Sequence, residues 1–183
     1  MKIVDIHNEL HKQIERAIQQ DRQAQKVLYQ RYAPKLLSVC RQYIQDIHAA
    51  EDMLVTSFMK ILTNLHRFEY KGSFEAWMRR ITVNECISYI RKNKKVQYTD
   101  QIEVSSEMRE VDSLLFEADI QDIIDGLPTG CKMVFIMFVV EGYKHEEIAE
   151  ILHISEGTSK SQLAYARKLL QQMLLQNNIA NHG

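Results

Sequence analysis

The chain has 183 residues, of which 45% are hydrophobic and 26% are charged, with only 6 glycines and 2 prolines. This composition is typical of a soluble, helix-rich globular protein and excludes a fibrous or disordered chain. The net charge of −1 argues against a protein that coats nucleic acid through its overall charge. The opening residues lack the apolar core of a signal peptide, and the longest apolar run, residues 133–140, is far below the roughly 20 residues that cross a bilayer. We therefore expect a cytoplasmic protein with no membrane insertion.

Residues capable of catalysis or metal binding show no recognisable arrangement. Cys40, Cys86 and Cys131 lie far apart and form no CxxC pair, so we expect reduced thiols that are buried as small apolar side chains. The segment that begins at His145 starts like a zinc-protease helix, but Ala149 stands where the second histidine is needed. No nucleophile elbow or phosphate-binding loop occurs. We predict no metal, no cofactor and no enzymatic activity.

The charge distribution divides the chain into two parts. Residues 70–95 carry a net charge of +5, whereas residues 96–126 carry a net charge of −8. Such a sharp reversal indicates a domain boundary. We predict an all-α chain with an N-terminal helical domain over 1–95, a flexible acidic linker over 96–113, a C-terminal helical domain over 114–176 and a tail over 177–183.

Hydrophobic periodicity predicts three or four helices in the first domain. Asp21 suits the N-cap of a helical pattern in which Pro34 marks a kink or a new start. A second helix covers about 49–65, and residues 66–73 form a loop with two aromatic residues and a glycine. The third helix, residues 74–92, has apolar residues on two nearly opposite faces. It is therefore either buried on both sides or used for something besides packing.

The C-terminal half contains a helix–turn–helix pattern of the kind that reads DNA, in helices predicted near 114–125, 130–141, 145–152 and 156–172. Ile148 and Leu152 share a face, His153 suits a turn with positive φ, Ile154 points inward and Ser155 caps the second helix. An ordinary helical hairpin with a solvated basic face is the alternative. Exposed positions of the second helix are the predicted DNA contacts, through phosphates or base edges: Thr158, Lys160, Ser161, Gln162, Tyr165, Arg167 and Lys168.

Together these motifs resemble the extracytoplasmic-function sigma factors, the smallest branch of the main bacterial sigma family. The stretches that carry the resemblance are LYQRYAPKLL, AAEDMLVTSFMKIL, GSFEAWMRRITVNECISYIRK and the helix–turn–helix, in that order. The resemblance implies two helical domains, called regions two and four, and a factor that directs promoter-specific transcription initiation without catalysis of its own. The partners it implies are core RNA polymerase, promoter DNA and an anti-sigma factor.

The resemblance also implies residue roles. The resemblance assigns contact with polymerase to one amphipathic helix, through Glu51, Asp52, Leu54, Phe58, Lys60 and Ile61. The alternative is a core helix whose acidic residues are solvated. The resemblance assigns capture of the melted minus-ten element to the aromatic loop and the helix after it, through Phe68, Tyr70, Lys71, Ser73, Arg79, Arg80, Asn84, Arg91 and Lys92. There Phe68 and Tyr70 would stack on a flipped base. Trp77 is either a wedge or core, and Asn84 is either a DNA contact or a buried amide.

A stand-alone DNA-binding regulator, with an unrelated N-terminal dimerisation domain, is the alternative function. The N-terminal half discriminates between the two, because such a regulator has no need for a loop of aromatic residues followed by a basic helix. An enzyme is the third class, and the sequence contains no constellation that favours it.

Overall fold

The computed structural model describes residues 2–93 and 120–181, with side chains described over 9–93 and 121–175; the predicted linker lies outside these ranges. The described residues form helices and contain no strand. They divide into two units, Met1–Ile90 and Arg91–Gly183. The predicted fold class, all-α with two helical domains, is confirmed.

The first unit contains four α-helices in its described part. They are α1 (Lys2–Ile18), α2 (Arg22–Tyr43), α3 (Ile47–Asn64) and α4 (Phe74–Asn93), with a short 3-10 turn, Leu65–Arg67, after α3. Asp21 caps α2 as predicted, since its carboxylate accepts hydrogen bonds from the backbone N–H groups of Gln23 (2.9 Å) and Ala24 (3.3 Å). Asp46 caps α3 through the N–H of Ala49 at 2.7 Å. The helix α2 continues through Pro34, so the predicted new start there is wrong.

The helix α4 is buried on two sides, which resolves its unusual apolar pattern. Its buried side chains come from both predicted faces and from the strip between them: Phe74, Met78, Thr82, Val83, Cys86, Ile87 and Ile90. Up to Ile90, what remains exposed is a stripe at four-residue spacing: Ala76, Arg80, Asn84 and Ser88. The last three residues of the helix, 91–93, are exposed as well. This stripe and the C-terminal end are the parts of α4 that a partner can reach most easily.

The second unit contains α5 (Ile120–Asp125), α6 (Thr129–Phe135), α7 (His145–Leu152) and α8 (Glu156–Asn181) in its described part. A π-helical turn, Ile136–Val140, continues α6. The predicted bounds of α7 are confirmed, whereas α8 extends past the predicted end at residue 172. Its core includes Leu127, Cys131, Ala166 and Leu169, with Phe135, Tyr165 and Leu170 packed against it.

The three cysteines are buried free thiols, as predicted. Burial raises the pKa of the Cys131 thiol to about 11, so this group stays protonated at neutral pH. Among the described residues, no group of His, Cys, Asp and Glu side chains is placed to hold a metal ion. No helix within 2–93 or 120–181 is long and apolar enough to cross a membrane.

Candidate functional site

The turn between α7 and α8 has the geometry of a helix–turn–helix. Ile148 and Leu152 of α7 are fully buried, and His153 ends the helix in the left-handed conformation, with φ of 56°, as predicted. The Ser155 hydroxyl accepts a hydrogen bond from the N–H of Thr158 (2.9 Å) and so satisfies a free donor in the first turn of α8. The Ser155 cap and the buried side chains of Ile148 and Leu152 together fix the direction in which α8 leaves the turn.

The exposed face of α8 differs from the predicted one at two positions. Thr158 and Gln162, predicted to be exposed DNA contacts, are only 5% and 6% exposed, so that prediction of their exposure is wrong. The Thr158 hydroxyl lies 2.7 Å from that of Ser155, within the cap. Gln162 packs where Gly130 leaves room, since a Cβ on Gly130 would lie 3.2 Å from its Nε2. Of the other predicted contacts on α8, Tyr165 is half-buried and the rest are exposed: Lys160, Ser161, Arg167 and Lys168.

An aromatic contact that the sequence did not reveal supports this exposed face. The Phe138 ring, from the π-helical turn, stacks on His145 at 4.5 Å between centroids, and the guanidinium of Arg167 lies over Phe138 at 6.0 Å. The Nδ1 of His145 lies 2.9 Å from the hydroxyl of Ser159. Burial, followed by the nearby Lys160 and Arg167 cations, lowers the pKa of His145. The imidazole therefore remains neutral at pH 7 and adds no charge to this surface.

In the loop between α3 and α4, one aromatic side chain is exposed and packs against a cluster of other aromatic side chains. Phe68 is only 8% exposed and contacts Tyr70, Phe74 and Trp77, with ring centroids 4.9, 5.1 and 5.5 Å away. This burial argues against stacking of Phe68 on a flipped base, and that role stays a prediction. Tyr70 is 44% exposed and adopts a φ of +59°, rare for a residue with a side chain. Trp77 is half-buried in the same cluster, in line with the core alternative.

The remaining predicted minus-ten residues lie on or before α4. Asn84 is exposed, so the buried-amide alternative is wrong, while its contact with DNA stays a prediction. Arg79 is half-buried and donates to the Oε1 of Gln42 at 3.4 Å. The hydroxyl of Ser73 accepts from the N–H of Ala76 at 3.5 Å, at the start of α4. Other members of the set are also exposed: Lys71, Arg80, Arg91 and Lys92.

The predicted polymerase contacts on α3 point in two directions. Leu54, Phe58 and Ile61 are 6%, 4% and 1% exposed, which argues against direct contact with polymerase, and their predicted role stays a prediction. They form the core face of α3, which agrees with the alternative prediction of a core helix with solvated acids. The other three predicted residues, Glu51, Asp52 and Lys60, are exposed.

Two apolar side chains that the sequence reasoning missed lie on the outer face of α3. Val55 is 54% exposed and Met59 is 60% exposed, one turn apart. With α2 they line an open groove of about 300 Å³, whose rim carries basic side chains; its lining includes Arg22, Lys26, Tyr29, Val55 and Met59. The sequence signal that could have identified these two side chains is the i, i+4 spacing of Val55 and Met59, close to Glu51 and Asp52.

Comparison with known proteins assigns both units. The family model for sigma-70 region 2 matches residues 28–96, and that for sigma-70 region 4 matches residues 117–170. Curated relatives include the sigma factor SigW of Bacillus subtilis, 29% identical over 158 residues that cover 78% of this chain and 84% of the relative. The sigma-E factor of Haemophilus influenzae is 26% identical, over 86% and 91% of the two chains. The chain belongs to the extracytoplasmic-function branch of the sigma-70 family.

Solved structures of sigma factors share the fold. The sigma factor RpoE of Bartonella quintana, solved with the anti-sigma factor NepR, matches with a TM-score of 0.52 and 24% identity over 81% of this chain and 95% of its own. CnrH, solved with the cytosolic domain of CnrY, matches with a TM-score of 0.51 and 20% identity over 88% and 94%. As a sigma factor, this chain binds core RNA polymerase and directs promoter-specific transcription initiation. Sigma factors as a family are initiation factors that perform no catalysis themselves.

Proposed function

We propose that this sigma factor acts in the cytoplasm through three separate surfaces: the outer face of α3 binds polymerase, the Tyr70 loop with the exposed stripe of α4 captures the melted minus-ten element, and α8 reads the upstream element. One observation carries the proposal. Tyr70 stands half-exposed on an aromatic cluster, immediately before a helix whose exposed stripe contains Arg80 and Asn84. A regulator that binds only duplex DNA has no use for such a platform.

Polymerase binding rests on an apolar centre with a charged border. Val55 and Met59 supply exposed apolar area, and Glu51 and Asp52 lie one turn before them on α3. Apolar contacts at the centre of an interface contribute most of its affinity, while rim charges affect association rate and choice of partner. We assign the affinity for polymerase to Val55 and Met59, and the orientation of the bound sigma factor to Glu51 and Asp52.

DNA melting requires an unpaired base to be held outside the duplex. Extrusion of a base costs a few kcal/mol, and stacking on an aromatic side chain returns about 1–3 kcal/mol per base. Of Phe68 and Tyr70, it is Tyr70 whose side chain remains substantially exposed. Arg80 on the following helix supplies a cation for the strand, and Asn84 supplies an amide for a base edge.

Recognition of the upstream element is proposed for the exposed part of α8. Lys160, Arg167 and Lys168 neutralise phosphates, and Ser161, near the N-terminus of the helix, reaches base edges in the major groove. Lys160 is also paired with Glu156 at 2.6 Å. A phosphate must compete with that carboxylate, so Lys160 contributes less affinity than Lys168.

An anti-sigma factor is the further proposed partner. Two of the similar solved structures hold a protein partner: the sigma factor RpoE is bound to the anti-sigma factor NepR, and CnrH is bound to the cytosolic domain of CnrY. A partner that covers Val55 and Met59 would exclude polymerase from this sigma factor. Its test is competition: such a protein must lower the fraction of sigma factor that co-elutes with core polymerase.

The test of base capture uses holoenzyme assembled from core polymerase and the full chain. Its DNA is the promoter that this holoenzyme selects from a randomised library, with 2-aminopurine at each minus-ten position in turn. We expect a fluorescence increase at the flipped base, lost in Tyr70→Ala and retained in the matched control Tyr70→Phe, which keeps the ring. An increase that survives Tyr70→Ala would contradict the assignment.

A further inference from the structure

The side chain of His11, on α1, contacts the proposed base-capturing tyrosine. The His11 ring stacks on the Tyr70 ring with centroids 4.3 Å apart and planes inclined by 29°. Residues 28–96 are matched by the region 2 family model, so α1 precedes that match. Nothing in the match assigns a role to His11.

The position of α1 beside the loop is fixed by packing. Ile14 and Ala17, on the inner face of α1, are each 1% exposed, and Gln25 donates a hydrogen bond to the carbonyl of Ala17 at 3.3 Å. The Arg16 guanidinium pairs with Asp21 at 2.7 Å, across the turn into α2. His11 lies about one turn before Ile14 and is therefore held against the loop by a helix whose inner face is buried.

Tyr70 occupies a conformation that needs support. Its φ of +59° lies in the left-handed region, which is unfavourable for a residue with a Cβ. Two rings contact it, His11 in a stacked arrangement and Phe68 at 4.9 Å in a tilted one. Burial against these groups, and then the nearby Glu15 carboxylate of α1, raises the pKa of the Tyr70 phenol. The helix α1 thus supplies a ring that stacks on Tyr70 and a carboxylate near enough to raise the pKa of its phenol.

We propose that His11 is a positioning residue for promoter melting: it stacks on Tyr70, holds it in the left-handed conformation and keeps its free surface presented to an unpaired base. This inference rests on the proposed role of Tyr70 in base capture. Because 44% of Tyr70 remains exposed while His11 is stacked on it, the histidine supports the ring and still leaves part of the residue open to a base. A preorganised ring binds a base without the entropic cost of first being ordered.

The test compares holoenzymes assembled with saturating sigma factor, on forked DNA made from the selected promoter, whose minus-ten strand is unpaired. His11→Ala should weaken binding of this DNA by about fivefold, part of the effect of losing one base stack. His11→Phe, which keeps a flat ring, should restore affinity to within about twofold of wild type. The matched control is His48→Ala. His48 lies beside a glutamate of its own helix (3.8 Å from Glu51) and is 87% exposed.

Comparison with Tyr70→Ala separates failure of this inference from failure of the proposed function. If Tyr70→Ala leaves affinity for the forked DNA unchanged, base capture by Tyr70 is wrong and the role of His11 falls with it. If Tyr70→Ala weakens binding but His11→Ala does not, only the positioning role is overturned. Tighter binding by His11→Ala would overturn it too, since His11 would then cover the site. If the inference holds, His11→Ala causes no further loss in the Tyr70→Ala background.

Discussion

The outer face of α3 allows a direct test of the polymerase surface. Val55 and Met59 are 54% and 60% exposed, and complete burial of such a side chain contributes about 1.5–3 kcal/mol. Burying their exposed parts against polymerase should therefore contribute about 1 kcal/mol each. The double substitution Val55→Ala and Met59→Ala removes most of this area and should weaken binding of core polymerase by about 2 kcal/mol, or about 30-fold in Kd.

The assay is equilibrium binding of the labelled sigma factor to core polymerase, with urea unfolding of each variant measured in parallel. Ile18→Ala, an exposed apolar position on α1, is the matched control and should leave the Kd unchanged. The buried Leu54 provides the opposite test, since Leu54→Ala should lower the free energy of unfolding by about 2–5 kcal/mol while folded protein binds normally. Unchanged affinity in the double variant would show that Val55 and Met59 do not bind polymerase, and a specific loss of affinity in Leu54→Ala would show that Leu54 does.

Three further predictions concern the second unit. Lys168→Ala should weaken binding of duplex upstream DNA for all sequences alike and reduce the slope of log K against log salt by about one; a sequence-selective loss would contradict a phosphate contact. Ser155→Ala removes the acceptor that caps α8 and should lower the free energy of unfolding by about 1 kcal/mol in urea, whereas an unchanged midpoint would show that the cap is dispensable. The pKa of His145 is lowered in the folded state, chiefly by burial, so the unfolded chain binds the proton more readily and stability should fall as pH drops below about 6.5. His145→Gln should flatten that decline in thermal unfolding between pH 7.5 and pH 5.5, and a decline of equal size in the variant would exclude His145 as its source.

The parts of the fold that the sequence predicted well have strong local signals. The turn after α7 needs a residue that tolerates positive φ, and His153 occupies that position with φ of 56°. Burial of α4 on both sides follows from its two apolar faces. The end of α8 has no such signal, because residues 171–178 contain neither glycine nor proline, and the helix runs on to Asn181.

Site residues were harder to predict, because apolar periodicity does not say which partner a face meets. Leu54, Phe58 and Ile61 form the strongest stripe of α3, and the helix uses that stripe for its own core. Gln162 looks exposed on a helical wheel, but Gly130, far away in sequence, provides space for it. The stacking of His11 on Tyr70 joins residues from α1 and from the loop after α3, a contact that no local pattern specifies.

Run-off transcription from a randomised promoter library measures directly whether this chain gives core polymerase its promoter specificity. We predict transcripts only when core polymerase and the chain are both present, with start sites downstream of a shared two-part sequence. Tyr70→Ala should reduce these transcripts on duplex templates, and a template with the minus-ten element already unpaired should restore them only in part, because the stacking of the ring on the unpaired base is still missing. Stable sequence-specific DNA binding by the chain alone, without any complex with core polymerase and without transcripts, would contradict the account and identify a stand-alone regulator.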